Sequence, residues 1–188
     1  MMKLLFIFTY VFLIVFSNVI TASTQPFNFF YFVVPYGTFL IGFTFIFRDL
    51  IQIKIGKNKT YKLIFFSLFI SALTSYLLKD PLSIVFASGI TFLLSESIDT
   101  EIFSRIKTNV NKKILFSGLI GGTIDSAIFV IIGLSPLGAN FISWDFILCA
   151  ITGQIIIKSF VQFFAYFVIK IIKHNKKSLQ ELALDIRD

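Results

Sequence analysis

Six long apolar stretches, at roughly 3–22, 28–48, 62–79, 82–104, 113–134 and 145–170, are separated by short polar connectors. Each is close to the ~20 residues that a helix needs to cross the hydrocarbon layer. The runs are continuous rather than alternating, which predicts helices and not barrel strands. Pro26, Pro81 and Pro136 fall between the runs, where a missing backbone donor does least harm. Pro35 falls inside the second run and predicts a kink there. The expected fold is all-α: a polytopic membrane protein of six transmembrane helices in one bundle, a single domain over residues 1–188. A short tail from about 173 ends in SLQELALDIRD and reads as amphipathic or disordered.

The polar connectors set the orientation. Lys54, Lys57, Lys59 and Lys62 join runs two and three. Arg105, Lys107, Lys112 and Lys113 join runs four and five, and Lys170, Lys173, Lys176 and Lys177 follow run six. The remaining connectors hold only Lys79, next to Asp80. Basic residues stay on the cytoplasmic side, so both termini are expected there. Lys3 and the small residues of ITAS give the first run some likeness to a signal peptide, whose cleavage would leave five spans. Its apolar character continues past Asn18 to Ala22, which favours a retained helix.

Composition agrees with this picture and removes alternatives. The 188 residues are 56% hydrophobic and 14% charged, with mean hydropathy +0.88, too apolar to cover a soluble domain. The net charge of +7 would suggest nucleic acid in a soluble protein. Here the basic residues flank membrane runs, so the partner is membrane lipid and no nucleic acid is expected. Cys149 is the single cysteine and His174 the single histidine. No intrachain disulfide can form, and neither a metal site nor a cofactor is expected. Ser67, Ser71 and Ser75, and the pair Gly118 and Gly122, let helices approach closely within the bundle or in a dimer.

Candidate chemistry lies in the charges inside the runs. A charge at the bilayer centre costs about 2.5–3.5 kcal/mol on insertion scales, so it faces a partner or a polar cavity. Counting from the basic flanks at 1.5 Å per residue puts Asp125 and Lys158 each about 18 Å deep, at mid-membrane, where they form a natural pair. Glu96 comes out about 13–14 Å deep, and Asp99 and Arg48 about 9 Å, giving a second pair. Glu96 and Asp99, three residues apart, share a helix face with Ser95 nearby. Glu101, four before Arg105, belongs to the headgroup zone. Asp49, near the cytoplasmic end, reads equally as an interfacial anchor. Gln154, Lys158 and Gln162 form one polar stripe, and Asn18 and Gln154 add amides in the outer half. Together these groups predict a polar column that a solute could follow.

A short repeat points the same way. SESIDTEIF returns 26 residues later as GGTIDSAIF, on the next run and in the opposite direction. Inverted repeats often flank a central transport site. No GxxxxGK[ST] occurs, so movement is facilitated, ion-coupled or powered by a partner. GGTIDS lacks the GxGD arrangement of an intramembrane aspartyl protease and no HExxH occurs, so the protein is not read as an enzyme.

GTFLIGFTFIFRDLIQ, SESIDTEIF, DSAIF and GQIIIK, in that order, resemble the queuosine precursor transporter family, VUT-like (vitamin uptake transporter) proteins of six membrane helices. The resemblance implies import of 7-cyano-7-deazaguanine or a related deazaguanine across the cytoplasmic membrane. It also implies Arg48, Asp49, Ser95, Glu96, Asp99, Asp125, Ser126, Gln154 and Lys158 as substrate-binding positions. SNVITAS adds Asn18 and favours retention of the first helix. A guanine-like ring presents an N–H and an exocyclic amine that a carboxylate can accept, with Glu96 or Asp99 as the expected edge reader. Its acceptors suit Lys158, Gln154 or Asn18, and Lys158 with Asp125 would form a mid-membrane gate. The nearest rival is the substrate-binding subunit of an energy-coupling-factor vitamin transporter, which needs a separate ATPase module. Whether the chain works alone, as a homo-oligomer or with an energising module stays open at this stage.

Overall fold

A computed structural model describes residues 2–29 and 32–185, with side-chain surroundings for 3–27 and 32–171. The order is α1 (Met2–Ser23), a small antiparallel hairpin of β1 (Phe27–Phe29) and β2 (Phe32–Val34), α2 (Gly37–Ile55), α3 (Lys57–Leu77), α4 (Leu82–Arg105), α5 (Val110–Ile128) and α6 (Trp144–Asp185). Helix α5 runs on through a π-helical turn, Phe129–Leu134. Helices adjacent in sequence pack on one another, and α6 returns to pack on α2. Short connections between packed neighbours make them antiparallel. The shortest is Gly56 alone, between α2 and α3, at a φ of 81° that a side chain would strain.

Five of these helices are long and apolar enough to cross a membrane. Helix α2 differs in composition, because Arg48, Asp49 and Lys54 lie within its 19 residues. It also starts nine residues later than its apolar run, which reached back to 28. Pro35 lacks a backbone donor and holds the preceding residue extended. The aromatic and β-branched segment before it therefore pairs as a hairpin, Phe27 against Val34. Pro35 thus precedes the helix rather than kinking it. Arg48 consequently sits 11 residues into α2, about 16 Å from that helix end.

The bundle is apolar outside and polar within. Phe8, Phe12, Phe65, Phe69, Phe86, Phe160 and Phe164 are exposed on the perimeter. Ser67, Ser71 and Ser75 are buried on the inner face of α3, so that stripe packs inside the bundle. Gly118 lies directly against Gln162, and Gly122 against the Lys158 stem, so this pair seats α6 on α5. Gln162 in turn donates to the Gly42 carbonyl at 3.0 Å and ties α6 to α2. Beyond residue 171 the helix continues to Asp185, where a short tail was expected; the last expected tail residues, 186–188, lie outside the described residues.

Candidate functional site

The charges inside the helices gather in two clusters. The first joins α5 to α6. Lys158 Nζ donates to Asp125 Oδ2 at 2.5 Å, to Ser126 Oγ at 2.9 Å and to Gln154 Oε1 at 3.5 Å. An ammonium has three donors, so all of them are committed. Asp125 Oδ1 accepts from Ser95 Oγ of α4 at 3.1 Å. The sequence-predicted mid-membrane pair therefore forms, with Ser95 and Ser126 completing it.

The second cluster centres on Arg48, which is fully buried. Its guanidinium faces three carboxylates: Asp49 at 3.0 Å, Glu96 at 3.3 Å, and Asp99 in direct contact. Nη1 also donates to Thr100 Oγ1 at 2.8 Å and Gln52 Oε1 at 3.2 Å. Ser117 Oγ of α5 donates to Asp49 Oδ2 at 2.8 Å. Tyr10 of α1 is wholly buried, with its hydroxyl toward Glu96. Four helices, α1, α2, α4 and α5, thus meet around one cation. Asp49 is no interfacial anchor: it is as buried as Arg48. Glu101, by contrast, takes the surface role expected of it, with Lys57 at 2.5 Å, Tyr61 at 2.9 Å and exposed Arg105 at 3.3 Å.

A cavity of about 640 Å³ reaches the first cluster but not the second. That volume falls within the roughly 300–1,000 Å³ typical of small-molecule sites. Its mouth is framed by connector residues such as Gln25, Pro26, Lys79 and Pro81. This is the end of the bundle opposite the basic connectors at 56 and 106–109, because adjacent helices alternate in direction. Its walls carry Asn18, Thr38, Phe92 and Phe129, and Asp125, Gln154, Lys158 and Thr91 lie at its inner end. Thr91 is nine residues into α4, about 14 Å below the mouth. The π-helical turn begins three residues after Ser126, and its Phe129 and Leu134 line the cavity. Such turns recur at functional sites because they widen the helix and re-aim its side chains.

The repeat acquires a structural meaning here. Aligning SESIDTEIF with GGTIDSAIF makes Asp99 the counterpart of Asp125, Thr100 of Ser126 and Ser95 of Gly121. Arg48 is held by Asp99 and Thr100, and Lys158 by Asp125 and Ser126. Each repeat thus presents an aspartate and the next hydroxyl to one cation from another helix. The contacts between the repeats are reciprocal too: Asp125 bonds Ser95, and Asp99 packs against Gly121, its Cβ 2.8 Å from where a glycine Cβ would stand. The pattern is that of two halves related by a pseudo-two-fold axis.

Of the sequence-predicted positions, Asn18, Asp125, Gln154 and Lys158 line the cavity. Asn18 is also spoken for on α3, donating to Ser71 Oγ at 3.0 Å. Ser95 and Ser126 support the cavity pair from behind. Arg48, Asp49, Glu96 and Asp99 lie in the sealed cluster, so neither expected edge reader borders the cavity; the carboxylate that does is Asp125. The single polar column is instead two stacked clusters joined through Ser95 and its neighbour Glu96. Sequence reading passed over Thr91, Ser117, Gln52 and Tyr10. Thr91, Ser95 and Asp99 recur every fourth residue on α4, as Arg48 and Gln52 do on α2, and that spacing was the available signal.

Residues 74–172, just over half of the chain, match the family described as "Putative vitamin uptake transporter". The match runs from the end of α3 through α4 and α5 into α6, and so contains both repeats and Lys158. No curated protein and no solved structure matches the chain.

Proposed function

The chain belongs to the vitamin uptake transporter family, and from that premise we propose that it imports a queuosine precursor, 7-cyano-7-deazaguanine or a related deazaguanine, across the cytoplasmic membrane. The observation that carries the reading is the cavity ending at mid-bundle on Asp125, Lys158 and Gln154. It has room for a bicyclic heterocycle, and Asp125 offers the carboxylate that an N–H edge needs. The motifs on α2, α4, α5 and α6 that resemble the queuosine precursor transporters supply the substrate identity. In the proposed orientation the basic connectors and both termini are cytoplasmic, six helices span the membrane, and the cavity faces outward.

Alternating access follows from the repeat. The Lys158 cluster is open to one side, and its counterpart around Arg48 is closed to both. In the inward-facing state the two exchange roles: α4 and α5 shift against each other, the Lys158 cluster closes and the Arg48 cluster opens to the cytoplasm. Arg48, Asp49, Glu96 and Asp99 then form the inner gate.

Complementation tests this. Cells unable to make or import the deazaguanine receive this gene, and queuosine in their tRNA is measured at low external precursor. Rescue by the intact chain, and its loss in Asp125→Ala at equal membrane abundance, is the expected result. No rescue by the intact chain refutes the substrate. Rescue that requires a separate ATPase module moves the protein to the substrate-binding subunit of an energy-coupling-factor transporter.

A further inference from the structure

Two buried polar groups at the inner end of the cavity have no partner among the described residues: Gln154 Nε2 and Thr91 Oγ1, each on a residue only 2% exposed. Buried donors are rarely left unpaired, since each then forfeits the hydrogen bonds it would make in water. Both residues line the cavity, so a side-chain rotation can present either group to a bound solute.

The repeat gives an independent reason to expect a ligand atom at Thr91. Its counterpart 26 residues on is Ser117, whose hydroxyl donates to the Asp49 carboxylate at 2.8 Å. Asp49 is the neighbour of Arg48. The neighbours of Lys158, the matching cation, are Ile157 and Ser159, so no carboxylate accompanies it. The acceptor that Ser117 finds in the protein is one that Thr91 must find in the solute.

The charges decide the class of solute. The cavity is lined by two cations, Lys79 and Lys158, and two anions, Asp80 and Asp125, so it has no excess charge of either sign. Lys158 has no donor to spare for an anion. Asp125 is 13% exposed and has one bond on each oxygen from the protein, which leaves two of its roughly four acceptor positions. The site therefore offers an acceptor on Asp125 and donors on Gln154 and Thr91.

We propose that the site recognises a neutral ring lactam: the N–H donates to Asp125, and the adjacent carbonyl accepts from Gln154 Nε2 and Thr91 Oγ1. Thr91 becomes a specificity-determining residue, and carboxylate-bearing vitamins are excluded. The inference deepens the deazaguanine reading and rests on the same cavity, but it commits to the lactam edge and not to the nitrile or the amine.

The test is equilibrium binding by calorimetry to purified protein in lipid nanodiscs. The probes are 7-cyano-7-deazaguanine, hypoxanthine (a lactam without the nitrile or exocyclic amine), 1-methylguanine (whose lactam N–H is blocked), and the carboxylates biotin and pantothenate. The lactams should bind, and the methylated ring and both carboxylates should bind at least tenfold more weakly. Thr91→Val should lose about tenfold for lactams, and Thr91→Ser should restore it. Unfolding temperatures equal to the unaltered chain show that the variants fold. Carboxylates binding as tightly as lactams, or Thr91→Val binding lactams unchanged, overturns the proposal. Hypoxanthine binding without the deazaguanine keeps the lactam site and removes the assigned substrate. Deazaguanine binding that ignores Thr91 does the reverse, and binding of neither lactam sinks both.

Discussion

Arg48→Met removes the only cation among the described residues that pairs with Asp49, Glu96 and Asp99 and leaves three carboxylates in a buried site. Breaking a buried pair by deleting one partner costs about 3–5 kcal/mol, because the remaining charge keeps its desolvation penalty. Here one guanidinium serves three carboxylates and also donates to Thr100 and Gln52, so the loss lies at or above the top of that range. Folded domains keep only about 5–15 kcal/mol in hand, so much of the margin disappears. At about 2–4 °C per kcal/mol for a chain of this size, the unfolding temperature should fall by roughly 10–20 °C. The assay is the monodisperse fraction of detergent-purified protein after heating. Arg48→Lys should fall in between, because one ammonium keeps the charge but cannot span the same partners as a planar fork. Combining Arg48→Met with Glu96→Gln and Asp99→Asn should recover part of the loss, since fewer charges are stranded. An unfolding temperature unchanged in Arg48→Met, or a triple variant no more stable than the single one, would refute the account of the cluster as a charge network.

Further outcomes can be stated for other contacts. Asp125→Asn removes the carboxylate from Lys158 and should abolish precursor uptake in whole cells while the protein still reaches the membrane. Gly118→Leu drives a side chain into Gln162 and should cost about 1–3 kcal/mol by overpacking, read as a lower unfolding temperature. Asn18→Ala loses the bond to Ser71 and should cost about 0.5–1.5 kcal/mol in the same assay, with α1 still seated. Glu101→Ala should leave the unfolding temperature unchanged despite its three partners, because exposed ion pairs are offset by solvent and side-chain entropy.

What the sequence by itself determined was the membrane class, the helical runs and which polar groups had to turn inward. Those follow from local chemistry: hydrocarbon tolerates neither unpaired backbone nor scattered charge, so apolar runs become helices and Asp125 and Lys158 need partners. Counting paired those two because the stretches counted, Lys113 to Asp125 and Lys158 to Lys170, are regular helix and their flanks lie at the same end. The same counting paired Arg48 with Asp99, which are in direct contact. What hydropathy misplaced was the start of α2, where Pro35 and the aromatic segment before it diverted the chain into a hairpin. The tertiary structure alone decided how many charges share one space. Helix positions fix a residue's depth, but not the rotation and neighbours that bring Arg48 to Glu96, Asp99 and Asp49 at once. The separation of an open cluster from a closed one likewise depends on how the six helices converge, because a cavity is the volume left between elements and belongs to no single segment.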